Sequence, residues 1–237
     1  MWVVKDNTNG RYLNQIHDEI PMARFLHIVR DGRAVLNSMV GTIEPYGNGE
    51  VMARDPLTAA RNWRNLVSRI GAFSKQHADL VLEVKYEDLV ECPQEQLDRI
   101  RQFMGLETAA APSLAGAEGY YSRIPDKEKG IHSLLKKEPL KVRSRAWMNE
   151  LPETSRALFE HIAGDTLVSK GYSDVGRIKW KDLLARPHLM REYMRSVVRR
   201  YISWIGYLFN PDLLRKTITV KFLRQRDARA FEDRKGL

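Results

Sequence analysis

Residues 25–38 have the sequence FLHIVRDGRAVLNS, and the fold class is predicted from this segment. Residues 24–29 form a short run rich in strand-forming side chains, which predicts a β-strand. Asp31 stands where a helix N-cap belongs, and it predicts a helix through about residue 40. A strand followed at once by a helix is typical of an α/β unit whose turn lies at the carboxyl end of the strand.

On both sides of this segment, predicted strands and predicted helices alternate along the chain. Strands are predicted at 2–4, 24–29 and 80–85, and helices at 10–20, 31–40, 57–77, 94–104, 151–170 and 187–209, with loops at 41–56 and 107–145. The order predicts an α/β fold in which a parallel sheet carries helices on both faces, followed by a C-terminal amphipathic helical tail. Ligands of such sheets bind at the carboxyl ends of the strands.

Composition places the 237-residue chain among globular proteins that bury a core, with 43% hydrophobic residues. Its single cysteine, Cys92, excludes an intramolecular disulfide framework and a thiolate zinc cluster. The histidines have no metal-ligand spacing. No signal peptide and no apolar run of membrane-spanning length is recognised, so we expect a cytoplasmic protein, with peripheral membrane association as an open alternative.

Charge is distributed unevenly along the chain, whose overall formal charge is +9. Residues 1–175 contain 23 Lys and Arg against 24 Asp and Glu, whereas residues 176–237 contain 16 against 6. A neutral body argues against nucleic acid as a partner despite the high overall pI. We therefore divide the chain into a binding or catalytic domain at 1–175 and a basic docking tail at 176–237.

Arg30 and Ser38 are the strongest candidates for a binding site. The predicted strand delivers Arg30 to the sheet edge, where the first turn of the next helix favours an anion. A guanidinium can bind a phosphate through two parallel hydrogen bonds. Ser38 follows Asp31 by seven residues, so it lies near the same helix face. From the residues alone, an arginine paired with a local carboxylate and a solvated serine is the simpler interpretation, because a strand, an arginine and a helix often follow one another.

The segment VRDGRAVLNSM, residues 29–39, resembles the 3′-phosphate-binding segment of sulfotransferases that use 3′-phosphoadenosine 5′-phosphosulfate. It is especially similar to tyrosylprotein sulfotransferases and their bacterial relatives. Further similar segments follow in the family's order: VKDNT at 4–8, Trp63, KYEDL at 85–89, FMGL at 103–106, Trp147, and the Gly-Tyr pair at 171–172. The resemblance covers roughly residues 2–175 and implies the P-loop-like α/β fold of that family.

The resemblance also implies roles for single residues and a cofactor. It implies 3′-phosphoadenosine 5′-phosphosulfate as the donor, adenosine 3′,5′-bisphosphate as the product, and no metal. The implied assignments are Arg30 and Ser38 to the 3′-phosphate, Tyr86 to the adenine, Lys5 to catalysis beside the transferring sulfuryl group, and Arg143, Ser144 and Arg145 to further phosphate contacts. The implied acceptor is a hydroxyl or amine on a peptide, a carbohydrate or a small molecule.

One family motif is not found in this sequence. The Gly/Ser/Thr-rich loop that binds the 5′-phosphosulfate is missing, so the predicted fold is N-terminally incomplete and no general base is identified. Three explanations stay open: a fragment or misassigned start, one half of a split protein, or a degenerate relative that binds without catalysis. The alternative functions are accordingly a non-catalytic nucleotide-binding or scaffold protein, or a protein that docks through its tail.

The predicted helix at 187–209 is amphipathic. Its apolar stripe is formed by Met190, Met194, Val197, Tyr201, Trp204 and Leu208, with Arg191, Arg195, Arg199 and Arg200 on the polar side. Three interpretations fit this pattern. The stripe packs on the body of the protein, pairs with a partner or a second copy of the chain, or lies on an anionic membrane surface.

Overall fold

The computed structural model describes residues 3–6, 9–46, 55–106, 144–172 and 179–208. The chain forms two compact units, Met1–Ala185 and Arg186–Leu237. A 3₁₀ turn at Asn9–Arg11 precedes the regular elements. In chain order these are α1 (Leu13–Glu19), β1 (Phe25–Val29), α2 (Gly32–Tyr46), α3 (Pro56–Gln76), β2 (Val81–Lys85), α4 (Tyr86–Glu91), α5 (Pro93–Met104), α6 (Trp147–Glu150), α7 (Glu153–Ser169), α8 (Trp180–Leu184) and α9 (Pro187–Leu208).

The described strands, β1 and β2, pair in parallel. Phe25 lies opposite Val81, and the register runs on until Val29 lies opposite Lys85. Parallel pairing requires a crossover connection, which α2 and α3 supply between the two strands. The predicted parallel α/β arrangement is confirmed for this strand pair. Its register places both strand ends, and whatever follows them, at one edge of the sheet.

The two faces of β1 are covered to different extents. Phe25 packs edge to face on Phe73 of α3, with ring centroids 5.3 Å apart, and Val29 lies in the core beneath α3 and α7. The opposite face carries Leu26 and Ile28, which are 39% and 47% exposed. Helices α3 and α7 therefore cover one face of β1, as an amphipathic α3 requires.

Helix α3 organises the core through one apolar side. Asp55 caps it, because its carboxylate accepts a hydrogen bond from the Thr58 backbone N–H at 2.8 Å, and Pro56 follows at the first helical position. The buried side of α3 contributes to two apolar clusters. The larger cluster holds Val29, Ala34, Leu36, Ala59, Ala60, Trp63, Val67, Trp147, Leu151, Phe159, Ala163 and Leu167; the smaller holds Leu13, Ile70, Phe73 and Val81.

Several predicted boundaries are wrong. Residues 3 and 4, predicted as part of a strand, lie in exposed backbone without regular structure. Helix α2 continues through residue 46 instead of ending near 40, because one interior glycine costs a helix only about 1 kcal/mol. The helix predicted at 10–20 begins only at Leu13, and Asn9 belongs to the 3₁₀ turn before it.

A helix that was not predicted follows β2 directly. Residues 86–91 form α4, whose first turn carries Glu87 and Asp88. Acidic side chains stabilise the amino-terminal turn of a helix, which explains the early change from strand to helix. The helix predicted at 94–104 is confirmed with one added residue, and Gly105 ends it at φ 66°, a conformation that favours glycine.

Candidate functional site

Arg30 and Tyr86 meet where the two strands end. Each follows its strand directly, so the parallel register places them side by side. The Arg30 guanidinium carbon lies 4.6 Å from the centroid of the Tyr86 ring, and both residues are half-buried. Trp63 fixes the backbone here, because its indole N–H donates to the Arg30 carbonyl oxygen at 3.1 Å. The arrangement holds a cation at the carboxyl edge of the sheet, stacked on an aromatic ring.

The first turn of α2 is hydrogen-bonded to carboxylates of the protein itself. The Asp31 Oδ1 accepts from the Arg33 backbone N–H at 2.8 Å, which confirms Asp31 as the cap of this helix. The Asp31 backbone N–H donates to Glu87 Oε1 at 3.0 Å. Sequence reasoning expected these amides to favour an external anion. The Asp31 and Arg33 amides are therefore occupied by internal carboxylates.

Glu87 is held by a second element as well as by α2. The Tyr172 hydroxyl, which follows α7, donates to Glu87 Oε2 at 3.2 Å. Burial raises the pKa of Tyr172 well above its ordinary value, and the negative charges of Glu87 and Asp31 raise it further. Tyr172 is therefore a neutral hydrogen-bond donor across the physiological range. Glu87 connects α2, α4 and the end of α7 immediately beside Tyr86.

Arg33 occupies a buried cage of charges below this edge. It donates to Asp31 from Nε at 3.0 Å and from Nη2 at 2.8 Å, and to Glu160 Oε1 from Nη1 at 2.8 Å. Its guanidinium carbon lies 4.0 Å from the Trp147 ring centroid. Burial acts to lower the pKa of Arg33, but the hydrogen bonds and charges of Asp31 and Glu160 outweigh it and raise the pKa. Arg156 completes the cage by donating to Glu160 at 3.0 Å.

The other predicted site residues lie at several places. Ser38 is exposed on α2, two turns beyond Asp31. Lys5 is exposed in residues 3–6, which have no regular secondary structure. Arg143 lies outside the described residues. The roles of these residues stay predictions.

A cavity of about 450 Å³ lies beside α4 and the approach to α6. Ser144 and Arg145, two of the predicted nucleotide contacts, line it together with Glu87, Val90, Glu91, Ala146 and Asn149. Its volume falls in the range of small-molecule sites. The described lining combines two carboxylates and one guanidinium with amide, hydroxyl and apolar groups. The structure thus brings two predicted contacts to the helix that begins at Tyr86.

Comparison with protein families finds a similarity in the first part of the chain. The model of the Sulfotransferase family matches residues 1–110, which include both strands, Arg30, Ser38 and Tyr86. The match supports the assignment to the sulfotransferase family that the sequence resemblance predicted. It accordingly supports a transferase and sulfotransfer activity in general. No curated protein matches the chain.

Two features of the site were not predicted from the sequence. They are the buried ion pairs around Arg33 and the hydrogen bonds that join Glu87 to α2 and to Tyr172. A signal for the cage exists, since Glu160 lies on the side of α7 that also carries Ala157, Ala163 and Leu167, all buried. A carboxylate on a buried helix face requires a cationic partner, and this requirement points to a buried arginine or lysine elsewhere.

Proposed function

We propose that this protein transfers a sulfuryl group from 3′-phosphoadenosine 5′-phosphosulfate to a hydroxyl or amine of a peptide, a carbohydrate or a small molecule. The observation that carries the proposal is the stacking of Arg30 on Tyr86 where two parallel strands end. Strand ends of this kind are where α/β sheets bind nucleotides. The family match over the same residues supports the proposal independently of the geometry.

Arg30 and Ser38 are the residues that we assign to the nucleotide 3′-phosphate. A guanidinium stacked on a ring has fewer orientations to lose on binding, and its N–H groups lie in a plane that suits two phosphate oxygens. The Ser38 hydroxyl is exposed on α2 and can add a further donor. The Asp31 and Arg33 amides already donate to internal carboxylates, so we assign phosphate recognition to side chains and not to these two amides.

The cavity beside α4 suits a nucleobase better than a phosphate. Glu87 and Glu91 in its lining would repel a phosphate, but carboxylates accept hydrogen bonds from an amino group such as that of adenine. Val90 and Ala146 supply apolar contacts for a ring. We therefore assign the base to this cavity and to Tyr86, and Ser144 and Arg145 to its rim.

The donor supplies an activated sulfuryl group when bound, and its transfer leaves adenosine 3′,5′-bisphosphate. Lys5 is the residue that we assign to stabilise negative charge on the departing phosphate, since a preplaced cation lowers the energy of a charge that develops during reaction. Its exposure leaves the ammonium group accessible to a ligand.

Nucleotide binding to the full chain tests the site. Isothermal titration calorimetry compares the affinity of the chain for adenosine 3′,5′-bisphosphate with its affinity for adenosine 5′-monophosphate, which lacks the 3′-phosphate. We expect the wild type to prefer the bisphosphate, and Arg30→Ala to weaken its binding about 10- to 100-fold, as loss of charge-assisted hydrogen bonds does. Arg24→Ala is the matched control, because Arg24 lies 5.7 Å from the Phe103 ring at the other end of β1. Equal affinity for both nucleotides, or full binding by Arg30→Ala, would contradict the assignment.

Transfer is tested separately with radiolabelled donor and panels of peptide, carbohydrate and phenolic acceptors. We expect label to appear in one acceptor class and to depend on Arg30. Preferential binding of the bisphosphate without transfer to any acceptor would favour the non-catalytic nucleotide-binding alternative. The two experiments therefore distinguish failure of the site from failure of the reaction.

A further inference from the structure

Helix α9 carries an exposed apolar stripe. It differs from the predicted stripe, of which Met190 and Val197 are half-buried. The exposed stripe consists of Met194, Val198, Tyr201, Ile202 and Ile205, all between 45% and 63% exposed. At about 100° per residue these five positions fall within one third of the helix circumference. Their spacing of three and four residues makes the stripe continuous over three turns.

A different side of the same helix is already buried. Leu189 and Ser196, seven residues apart, are 1% and 6% exposed. At about 100° per residue they point almost opposite to Met194 and Ile205. Helix α9 therefore has a packed side, and the apolar stripe is additional to it. An amphipathic helix that only covers a core has no need of a second apolar face.

Arginines follow one flank of the stripe. Arg191, Arg195 and Arg199 recur every four residues and are exposed. Glu192, the single acidic residue among residues 187–208, forms an ion pair with Arg195 at 2.5 Å. The flank is accordingly cationic, and it borders the apolar stripe along its length.

This charge pattern decides between the possible occupants of the stripe. A second copy of the helix would bring its own arginines against these, and like charges across an interface oppose association. An anionic lipid surface instead offers phosphates and carboxylates to the arginines and an apolar boundary to the stripe. No helix among the described residues is long and apolar enough to cross a bilayer. A helix that lies parallel to the surface can place the stripe at the apolar boundary and the arginines against the headgroups.

We propose that α9 docks the protein on anionic membranes, with the stripe in the headgroup boundary and Arg191, Arg195 and Arg199 against lipid phosphates. Cations near an anionic surface strengthen binding individually, so each arginine contributes separately to the affinity. This inference is independent of the nucleotide site and concerns where the protein acts.

Flotation of the full chain with vesicles tests the proposal. The vesicles are phosphatidylcholine alone or with phosphatidylserine at about 30 mol%. We expect binding to the anionic vesicles only, with a large decrease when NaCl rises from about 0.1 to about 0.5 M. Ile202→Gln with Ile205→Gln should weaken binding at least tenfold, and Arg195→Gln or Arg199→Gln about fivefold each.

Two controls keep the result interpretable. Leu184→Gln removes a leucine of α8 that is 63% exposed and should bind vesicles as the wild type does. Circular dichroism checks that each variant keeps its helix content. Equal binding to neutral vesicles, or unchanged binding by the Ile202 and Ile205 variant, would overturn the proposal. So would a dimer in analytical ultracentrifugation that this variant dissociates while vesicle binding is absent.

Discussion

Arg30 and Arg33 lie three residues apart, where β1 is followed by α2, and they differ in burial and in their contacts. Arg30 is half-buried, with its guanidinium on the Tyr86 ring at the sheet edge. Arg33 is 2% exposed and hydrogen-bonded to Asp31 and Glu160. Two arginines of one motif therefore have different surroundings, so residue type and motif alone do not assign a role. Buried carboxylates hold Arg33 within the fold, whereas the Arg30 guanidinium lies against a ring at the sheet edge.

Removing Arg33 should have the largest effect on stability. Arg33→Met leaves Asp31 and Glu160 with fewer cationic partners in a buried setting, and breaking a buried pair on one side costs about 3–5 kcal/mol. Urea denaturation at neutral pH measures the loss in free energy of unfolding. The double variant with Glu160→Gln should recover part of it, because one uncompensated charge is gone.

Arg30→Ala is the control that makes this comparison strict. Its loss of unfolding free energy should stay below about 1 kcal/mol, the scale of a partly exposed cation–π contact. Equal losses for Arg30→Ala and Arg33→Met would break the contrast between the two arginines. A loss below about 1 kcal/mol for Arg33→Met would show that the cage is not needed for the fold.

The surroundings of the two arginines show which contacts could be predicted from the sequence and which could not. The strand pair and the meeting of Arg30 with Tyr86 follow from local patterns, because parallel strands end at one edge. The cage does not, since Arg33 and Glu160 are 127 positions apart and only tertiary packing brings them together. The hydrogen bond from Tyr172 to Glu87 could not be predicted for the same reason, since the two residues are 85 positions apart.

Local patterns also failed where packing overrides propensity. Gly41 predicted the end of α2, yet the helix runs on to Tyr46. No helix was predicted directly after Lys85, yet residues 86–91 form α4. This omission matters for the site, because α4 carries Glu87 both to the cap of α2 and to the cavity. Secondary-structure boundaries near a strand end are thus the weakest part of a site prediction from sequence.

The ion pair of Glu83 with Lys170 is more exposed than the buried cage around Arg33. Glu83 accepts from the Lys170 ammonium at 2.6 and 2.7 Å and lies 3.1 Å from His27 Nδ1. The hydrogen bond with His27 and the charge of Lys170 outweigh burial and lower the pKa of Glu83 to about 2. The ionised form therefore stabilises the fold fully above the ordinary carboxyl pKa of 4.5, and this stabilisation is lost as the pH falls from there toward 2.

Glu83→Gln should cost about 1 kcal/mol at pH 7, a value reduced for solvent screening because the Glu83 side chain is 33% exposed. The difference from the wild type should shrink as urea denaturation is repeated from pH 6 toward about pH 3. Asp98→Asn is the control, because Asp98 forms an exposed pair with Arg101 at 2.8 Å. A difference for Glu83→Gln that stays constant with pH would mean that its charge does not contribute.

The smallest effect is expected at the other end of the predicted phosphate site. Ser38→Ala should weaken binding of adenosine 3′,5′-bisphosphate about three- to tenfold, the range of one ordinary hydrogen bond from an exposed hydroxyl. Stability should stay equal or rise by up to about 0.5 kcal/mol, because alanine favours a helix more than serine does. Ser68→Ala is the matched control, since Ser68 is likewise exposed in a helix, α3, but lies outside the sheet edge. The same affinity in Ser38→Ala and Ser68→Ala would leave Arg30 to bind the phosphate without this hydroxyl.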